Sequence, residues 1–371
     1  MLLFSWRAWV SFVALFMTSR DNQARAWDKD GHEAIGMTAM SALKGKALAQ
    51  LKRLMGGKDA VDVSEWAHKV NKQYPWTTAL HFQPQPGGEP DTEWRCDKID
   101  VSECPDNKCL LAALKHFYGR LTGKKLVEMK YPEGIHFTDA DCLKYLINLI
   151  GDLHQPLHVG FKASDMGRAI NGTFKNKPHS LYEIWDTTLT QTMMAERPGF
   201  WYGGWTHVNS VKSQYENDKK EWAEKDFELF ERWASESLQV ACNKVYKDPT
   251  QNVRLVPDFK TTPHMERQWG QEMQQRILTA GARLVIVLNS ILEQQEAKKL
   301  RQGSGVEVQG EEEHKAKPRV PAWVRNLGTN LIIIVVVLGV FIYISQFYGG
   351  PASTASPQSK KVEAKETAKH R

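Results

Sequence analysis

The stretch Leu146–His158, LINLIGDLHQPLH, decides how this chain is read. Its apolar residues predict a buried helix ending at Pro156, because proline has no N–H to continue the hydrogen-bond ladder. Asp152 and His158 flank that break. A carboxylate on the last full turn and an imidazole just beyond it can point into one cavity from two directions. Zinc takes imidazole nitrogens and carboxylate oxygens, so this pairing suits a metal cluster. A core helix with a capping His and a solvated Asp accounts for the same residues. The rest of the chain has to decide.

Around this stretch lies a body, residues 27–300, long enough for one sizeable core. Apolar residues recur at helical spacing over 34–54, 109–121, 139–151, 217–246 and 267–292. Gly/Pro clusters such as QPQPGG at 83–88 separate them, and no strand-rich block or internal repeat is visible. The expectation is a single all-α domain.

Both ends carry targeting signals. Residues 1–26 read as a signal peptide: one basic residue in Met1–Arg7, a short apolar run over Ala8–Met17, and small residues at the two processing positions of Ala24-Arg25-Ala26. Cleavage there leaves Trp27 as the mature N-terminus. Residues 327–348 are uncharged and apolar over about 20 residues, the length of one transmembrane helix. A stalk over 301–326, rich in Gly, Glu, Lys and Pro, precedes the span. A short basic tail, 349–371, follows it. Basic residues on both sides leave orientation undecided, and the signal peptide settles it. The expectation is a type I single-pass protein of the secretory pathway, its ectodomain extracellular or lumenal.

In such a compartment the five cysteines favour disulfides over metal ligation. Cys104 and Cys109 fit a small local loop, and Cys96 could tie to the distant helix carrying Cys242. Cys142, on an apolar helix, reads as the odd, buried thiol. Asn171-Gly172-Thr173 is a glycosylation acceptor. The formal charge of +6 is mild and lies partly in stalk and tail, so composition alone says little about nucleic acid. Of the 13 tryptophans most read as core, and a few exposed ones could stack on bases.

Candidate metal donors accumulate at Trp27, His32, His68, His81, Asp152, His158 and Asp186. Trp27 and His32 have a physical reading of their own. A free α-amino group and its own carbonyl oxygen form a five-membered chelate, and the imidazole five residues on can add a third bond. That chelate exists only after cleavage at Ala26. His32 taken alone is also an ordinary residue of an N-terminal helix.

With these residues the chain resembles the zinc-dependent class I nuclease family, single-strand-type nucleases with 3′-nucleotidase activity that include membrane-anchored protozoan surface enzymes. The resemblance rests on seven blocks in order: Trp27-x3-Gly31-His32, Ser64-Glu65-Trp66-Ala67, Leu80-His81-Phe82, Ile150–His158, Ile184-Trp185-Asp186, Trp233-Ala234-Ser235-Glu236-Ser237 and Ala280-Gly281-Ala282-Arg283-Leu284. It implies a helical fold of the phospholipase C/nuclease type holding three zinc ions. Two of them would share Asp152 and activate a hydroxide, and the third would neutralise phosphate oxygens. It also implies two disulfides, Cys96–Cys242 and Cys104–Cys109, and a base stacked on Phe82. The expected partners are single-stranded nucleic acid and 3′-nucleotides, together with a membrane through the C-terminal span. No protein partner is inferable.

Carried over residue by residue, Trp27, His32 and Asp152 complete an N-terminal zinc site, and His81, His158 and Asp186 also match. Three ligand positions depart. His68 stands where the family has an Asp that is also proposed as general base. Asn148 and Tyr182 stand where it has His. Pro84 replaces a base-reading Asp. His68 can still ligate but removes a negative charge. Asn148 offers only a neutral carbonyl oxygen, and Tyr182 would have to ionise from a pKa near 10. His154 falls where the family often has His in any case, and His179 would need a loop shift to compensate. These substitutions leave two readings. One is a working surface nuclease/3′-nucleotidase with altered ligands, and the other is a weakened or inactive relative that binds nucleotides or nucleic acid. A phospholipase C-type enzyme shares the cluster, but the Trp233–Ser237 block fits the nuclease branch better.

Overall fold

The computed structural model of the chain describes residues 27–43, 45–87, 94–198 and 211–303. Asp28 caps the first helix, its carboxylate accepting from the Asp30 N–H at 2.7 Å, and α1 (Lys29–Ala42) follows. Leu43 leaves helical backbone and Gly45 adopts φ +60°, so α2 (Gly45–Leu54) starts in a new direction. The single helix expected over 34–54 is therefore two. After α3 (Trp66–Gln73), Pro75 opens a 3₁₀ turn, Pro75–His81. The short disulfide loop leads into α4 (Leu110–Thr122).

The central helix, α5 (Asp139–Leu153), begins at a reciprocal cap. The Thr138 hydroxyl accepts from the Asp141 N–H and the Asp141 carboxylate accepts from the Thr138 N–H. Asp139 and Asp141 in its first turn also oppose the positive helix end. From Tyr145 to Leu153 every residue is buried, so α5 is a core helix packed on all sides. It stops at Leu153, and Pro156 then opens a 3₁₀ turn, Pro156–Val159, that carries His158.

A helical turn, Leu181–Glu183, and a π-turn, Ile184–Thr188, lead into α6 (Leu189–Glu196). The helix expected over 217–246 is two, α7 (Lys212–Lys225) and α8 (Leu229–Val240), with a π-turn, Ala241–Val245, closing the second. The break is Asp226, at φ 55°, whose carboxylate accepts from the Tyr118 hydroxyl at 2.6 Å and pairs with Lys124. Periodicity carries no trace of that anchor. The last helix, α9 (Pro263–Gly303), is longer than the 267–292 expected and overruns the expected boundary at 300. α1 lies against it so closely that a Cβ at Gly281 would meet the Thr38 side chain at 2.5 Å.

Three short strands pair in the order β2 (Lys177–Ser180), β1 (Asn171–Phe174), β3 (Phe259–Lys260). Lys175 and Asn176, both at positive φ, turn the β1–β2 hairpin. The protein is otherwise helical, as the patterning predicts. Cys96 is bonded to Cys242 and Cys104 to Cys109, and Cys142 is a buried free thiol. Among the described residues the one helix long and apolar enough to cross a membrane is Pro263–Lys299, and it is largely buried as the core helix of this unit. The expected signal peptide (1–26), transmembrane span (327–348) and tail, and nearly all of the expected stalk, lie outside the described residues.

Candidate metal centre

Four separate elements bring side chains to Asp152, on the last turn of α5. His32 comes from α1, His68 from α3, His81 from the 3₁₀ turn before Phe82, and His158 from the turn after Pro156. The approach of α1 requires Gly151, since a Cβ there would stand 2.8 Å from His32 Nδ1. Trp27 seals the same corner, its indole N–H donating to the Gly151 carbonyl at 3.0 Å. The segments carrying His81 and His158 are zipped together, Gln83 N–H donating to the His158 carbonyl and Gln85 N–H to the Gly160 carbonyl, both at 2.8 Å.

Asp152 is fully buried. Its Oδ2 accepts from His81 Nδ1 at 2.7 Å, and its Oδ1 lies 3.3 Å from His32 Nε2 and 3.8 Å from His158 Nδ1. Burial opposes ionisation of this carboxyl, but the charges and hydrogen bonds of His81 and His32 outweigh it and hold the pKa well below the usual range. His158 Nδ1 donates to the His81 carbonyl at 2.7 Å, which leaves Nε2 as an acceptor. Burial holds the His158 imidazole down to about 3. His68, under burial and the nearby His32 and His81, likewise falls to about 3. Both are therefore neutral imidazoles, the form that ligates metal, though only His68 Nε2 is without a hydrogen-bond partner.

The unpartnered atoms show what the arrangement lacks. His32 Nε2, His68 Nε2, His81 Nε2, Asp152 Oδ1 and Asp186 Oδ1 are all buried without a hydrogen-bond partner. Buried polar atoms left unmade cost about 1–3 kcal/mol each, so their convergence points to a cation. Among the described residues no group of three or more His, Cys, Asp or Glu side chains is spaced to hold a metal ion. The chemistry of the donors around Asp152 nonetheless fits two ions. His32 and Asp152 offer one donor pair, which the Trp27 amine and carbonyl would complete only if residue 27 begins the chain. His68, His81 and Asp152 form the other set, with Asn148, whose amide N–H₂ donates to the Val63 and Lys144 carbonyls and leaves Oδ1 unpartnered.

The third set does not fit. His158 Nε2 and Asp186 Oδ1 are 3.8 Å apart, but the Tyr182 hydroxyl is 3.3 Å from that same nitrogen. Burial pushes the Tyr182 phenol well above its ordinary pKa, with the charge of Asp186 adding to it, so in the metal-free protein the hydroxyl keeps its proton. Burial, reinforced by Asp28, likewise pushes Asp186 well up.

Other sequence-predicted residues fall elsewhere. Phe82 is buried, stacked on His158 with ring centroids 4.4 Å apart. His154 Nδ1 donates to the Ile150 carbonyl at 2.8 Å and its Nε2 accepts from Arg283 at 3.1 Å, a scaffold role. His179 is on β2, 3.9 Å from Glu183, and does not reach the cluster. Asn171 is exposed at the start of β1. One residue that sequence reasoning missed is Arg168, whose guanidinium lies 3.8 Å over the Tyr182 ring centroid and 5.0 Å over that of Phe82. A lone basic residue in a loop between two donor-bearing segments was the only signal.

The S1/P1 nuclease family profile matches residues 27–293. Endonuclease 4 of Arabidopsis thaliana is 25% identical over 315 residues, covering 77% of this chain and 96% of its own length. Nuclease P1 of Penicillium citrinum is 23% identical over 232 residues, covering 59% of this chain and 82% of its own. With the buried carboxylate–imidazole cluster at its centre, the chain belongs to the S1/P1 nuclease family, a family of metal-dependent enzymes.

Proposed function

We propose that the chain hydrolyses phosphodiester bonds of single-stranded DNA or RNA and 3′-phosphates of mononucleotides, using zinc held around Asp152. The observation that carries this is the convergence of unpartnered buried donors from His32, His68, His81 and Asp152 on one site. When bound there, zinc supplies a nucleophilic hydroxide at neutral pH and Lewis acidity at phosphorus. Asp152 holds both donor sets in register. His81, fixed by its Nδ1–H bond to Asp152, presents Nε2. His68 replaces a carboxylate with a neutral imidazole, so it can ligate but is a poor proton acceptor. The family expectation of three ions meets two fitting donor sets here.

Placement follows from the same reading. Trp27 becomes the N-terminus on cleavage of residues 1–26, the span over 327–348 anchors the protein, and the body, with Asn171 exposed for glycosylation, faces the outside or the lumen. The test is elemental analysis of the purified, processed chain beginning at Trp27 beside assays on single-stranded DNA, single-stranded RNA and a 3′-mononucleotide. About two zincs per chain, with hydrolysis lost on chelation and restored by zinc, support the proposal. Fewer than one zinc and no hydrolysis would make the protein a nucleotide- or nucleic-acid-binding relative on the nuclease scaffold.

A further inference from the structure

The third donor set has lost its metal-binding character, yet a permanent cation stands beside it. We infer that Arg168 binds a phosphate oxygen of the substrate where a third metal ion would otherwise neutralise it, so that the centre works with two metal ions and one guanidinium. The inference rests on the nuclease reading of this site.

Three observations carry it. First, the Tyr182 hydroxyl lies 3.3 Å from His158 Nε2, so the imidazole lone pair meets an O–H donor. Second, Arg168 is stacked on the same tyrosine at 3.8 Å and over Phe82 at 5.0 Å, with its Nη2 buried and without a hydrogen-bond partner. Nη1 reaches the Asp165 carbonyl and carboxylate, at 3.3 and 3.4 Å, and the guanidinium also interacts with the Tyr182 hydroxyl and the Asp186 charge. A guanidinium is always charged, and its planar fork matches the oxygens of a phosphate, so a desolvated, unused N–H on it calls for an anion. The side chain as a whole is 23% exposed, while Nη2 faces inward.

Third, the arginine is held in place before any ligand arrives. Asp165, Met166 and Gly167 all take positive φ, at 46°, 52° and 91°, making a tight turn directly before Arg168. The Ser164 hydroxyl accepts from the Gly167 N–H at 3.0 Å and lies 3.0 Å from the Tyr246 hydroxyl. The Gly167 carbonyl accepts from the Tyr182 N–H at 3.3 Å. Arg168 and Tyr182 therefore move as a pair. Such a fixed cation stabilises charge developing on phosphate oxygens without reorganising. It also covers Phe82, so a base stacks on that ring only if the guanidinium yields.

The test uses the processed protein beginning at Trp27 and its Arg168→Gln and Arg168→Lys variants, each checked for folding by circular dichroism. Zinc per chain is counted, and inorganic phosphate binding is measured by calorimetry on the zinc-loaded protein. We expect two zincs in all three. Phosphate binding should weaken on the order of 10- to 100-fold in Arg168→Gln, the size of a lost charged hydrogen bond, and by less in Arg168→Lys. Three zincs in the unmodified protein, or phosphate affinity within about twofold in Arg168→Gln, would overturn the inference. Hydrolysis is followed separately. Activity with an indifferent Arg168 removes the arginine's role and leaves the nuclease reading standing. Arginine-dependent phosphate binding with two zincs but no hydrolysis does the reverse.

Discussion

At the scale of single residues, the site depends on atoms being allowed close together. Gly151 is the sharpest case, because any side chain there drives His32 from Asp152, the nearest ring atom being 2.8 Å from the added carbon. Gly151→Ala should therefore cost about 1–3 kcal/mol of stability and about one metal ion per chain. Unfolding curves and elemental analysis on the same sample check this, and an unchanged metal count would show that α1 and α5 tolerate separation. The buried imidazoles also predict a pH dependence for the metal-free protein. His158 has a folded pKa of about 3 against about 6.5 when unfolded. Between those values the unfolded chain binds the extra proton, so stability falls as pH falls, by up to about 1.4 kcal/mol per pH unit for this group. His68 and His154 shift in the same direction. Asp152, depressed, adds stability that is present above its unfolded value near 4 and is lost only as pH falls through the lower folded value, so it bends the curve at the acid end. Urea midpoints measured between pH 7 and 4 should decline steadily toward acid. A flat profile would mean that the histidines are not held neutral.

At the scale of elements, the end of α5 is fixed by a buried ionic network as well as by proline. Arg283 on α9 donates to Asp218 at 2.7 Å, to Glu236 at 2.6 Å and to His154 at 3.1 Å, and Arg276 donates to the His154 carbonyl at 3.1 Å. Ser237 adds a hydrogen bond to the Leu153 carbonyl at 2.5 Å. Arg283, Glu236 and Ser237 come from two of the seven blocks that signalled the family, and they position the helix end without entering the metal site. Arg283→Met removes one partner of a buried pair and should destabilise by about 3–5 kcal/mol, while the folded fraction keeps its zinc. Denaturant titration with a parallel zinc count separates those two effects. The same elements show what was legible beforehand. α5 could be read because its apolar run and Pro156 agree locally, while its Thr138 cap emerged only in the structure. The breaks at Gly45 and Asp226 could not, since one needs a left-handed glycine and the other is held by Tyr118 and Lys124, about a hundred residues away in the sequence. Arg168 was hidden for a related reason. Its position follows from three successive positive-φ residues, Asp165 to Gly167, of which only the glycine advertises such a conformation.

At the scale of the whole molecule, the proposed cleavage after Ala26 bears directly on the proposed metal centre. The donors around Asp152 were legible as a set because they recur at fixed places in ordered blocks, but their hydrogen-bonded closure and the misfit at Tyr182 needed three dimensions. Trp27 is the first described residue, and the fold pins it twice: its indole binds the Gly151 carbonyl at 3.0 Å, and the next residue's N–H donates to the Asp186 carbonyl at 3.1 Å. The backbone of residue 27 is thereby kept beside the two segments that carry Asp152 and Asp186. A free amine at this point completes a chelate with the residue's own carbonyl oxygen, whereas an amide nitrogen that continues into a further residue is a far weaker donor. Protein processed after Ala26 should consequently hold one more tightly bound zinc than a chain in which Ala26 is retained ahead of Trp27. N-terminal sequencing identifies each form, and zinc counts after dialysis against a mild chelator compare them. Equal counts would separate signal cleavage from metal binding and leave His32 and Asp152 to hold that ion without the terminus. A difference of one would mean that the metal centre is completed only once the chain has entered the secretory pathway.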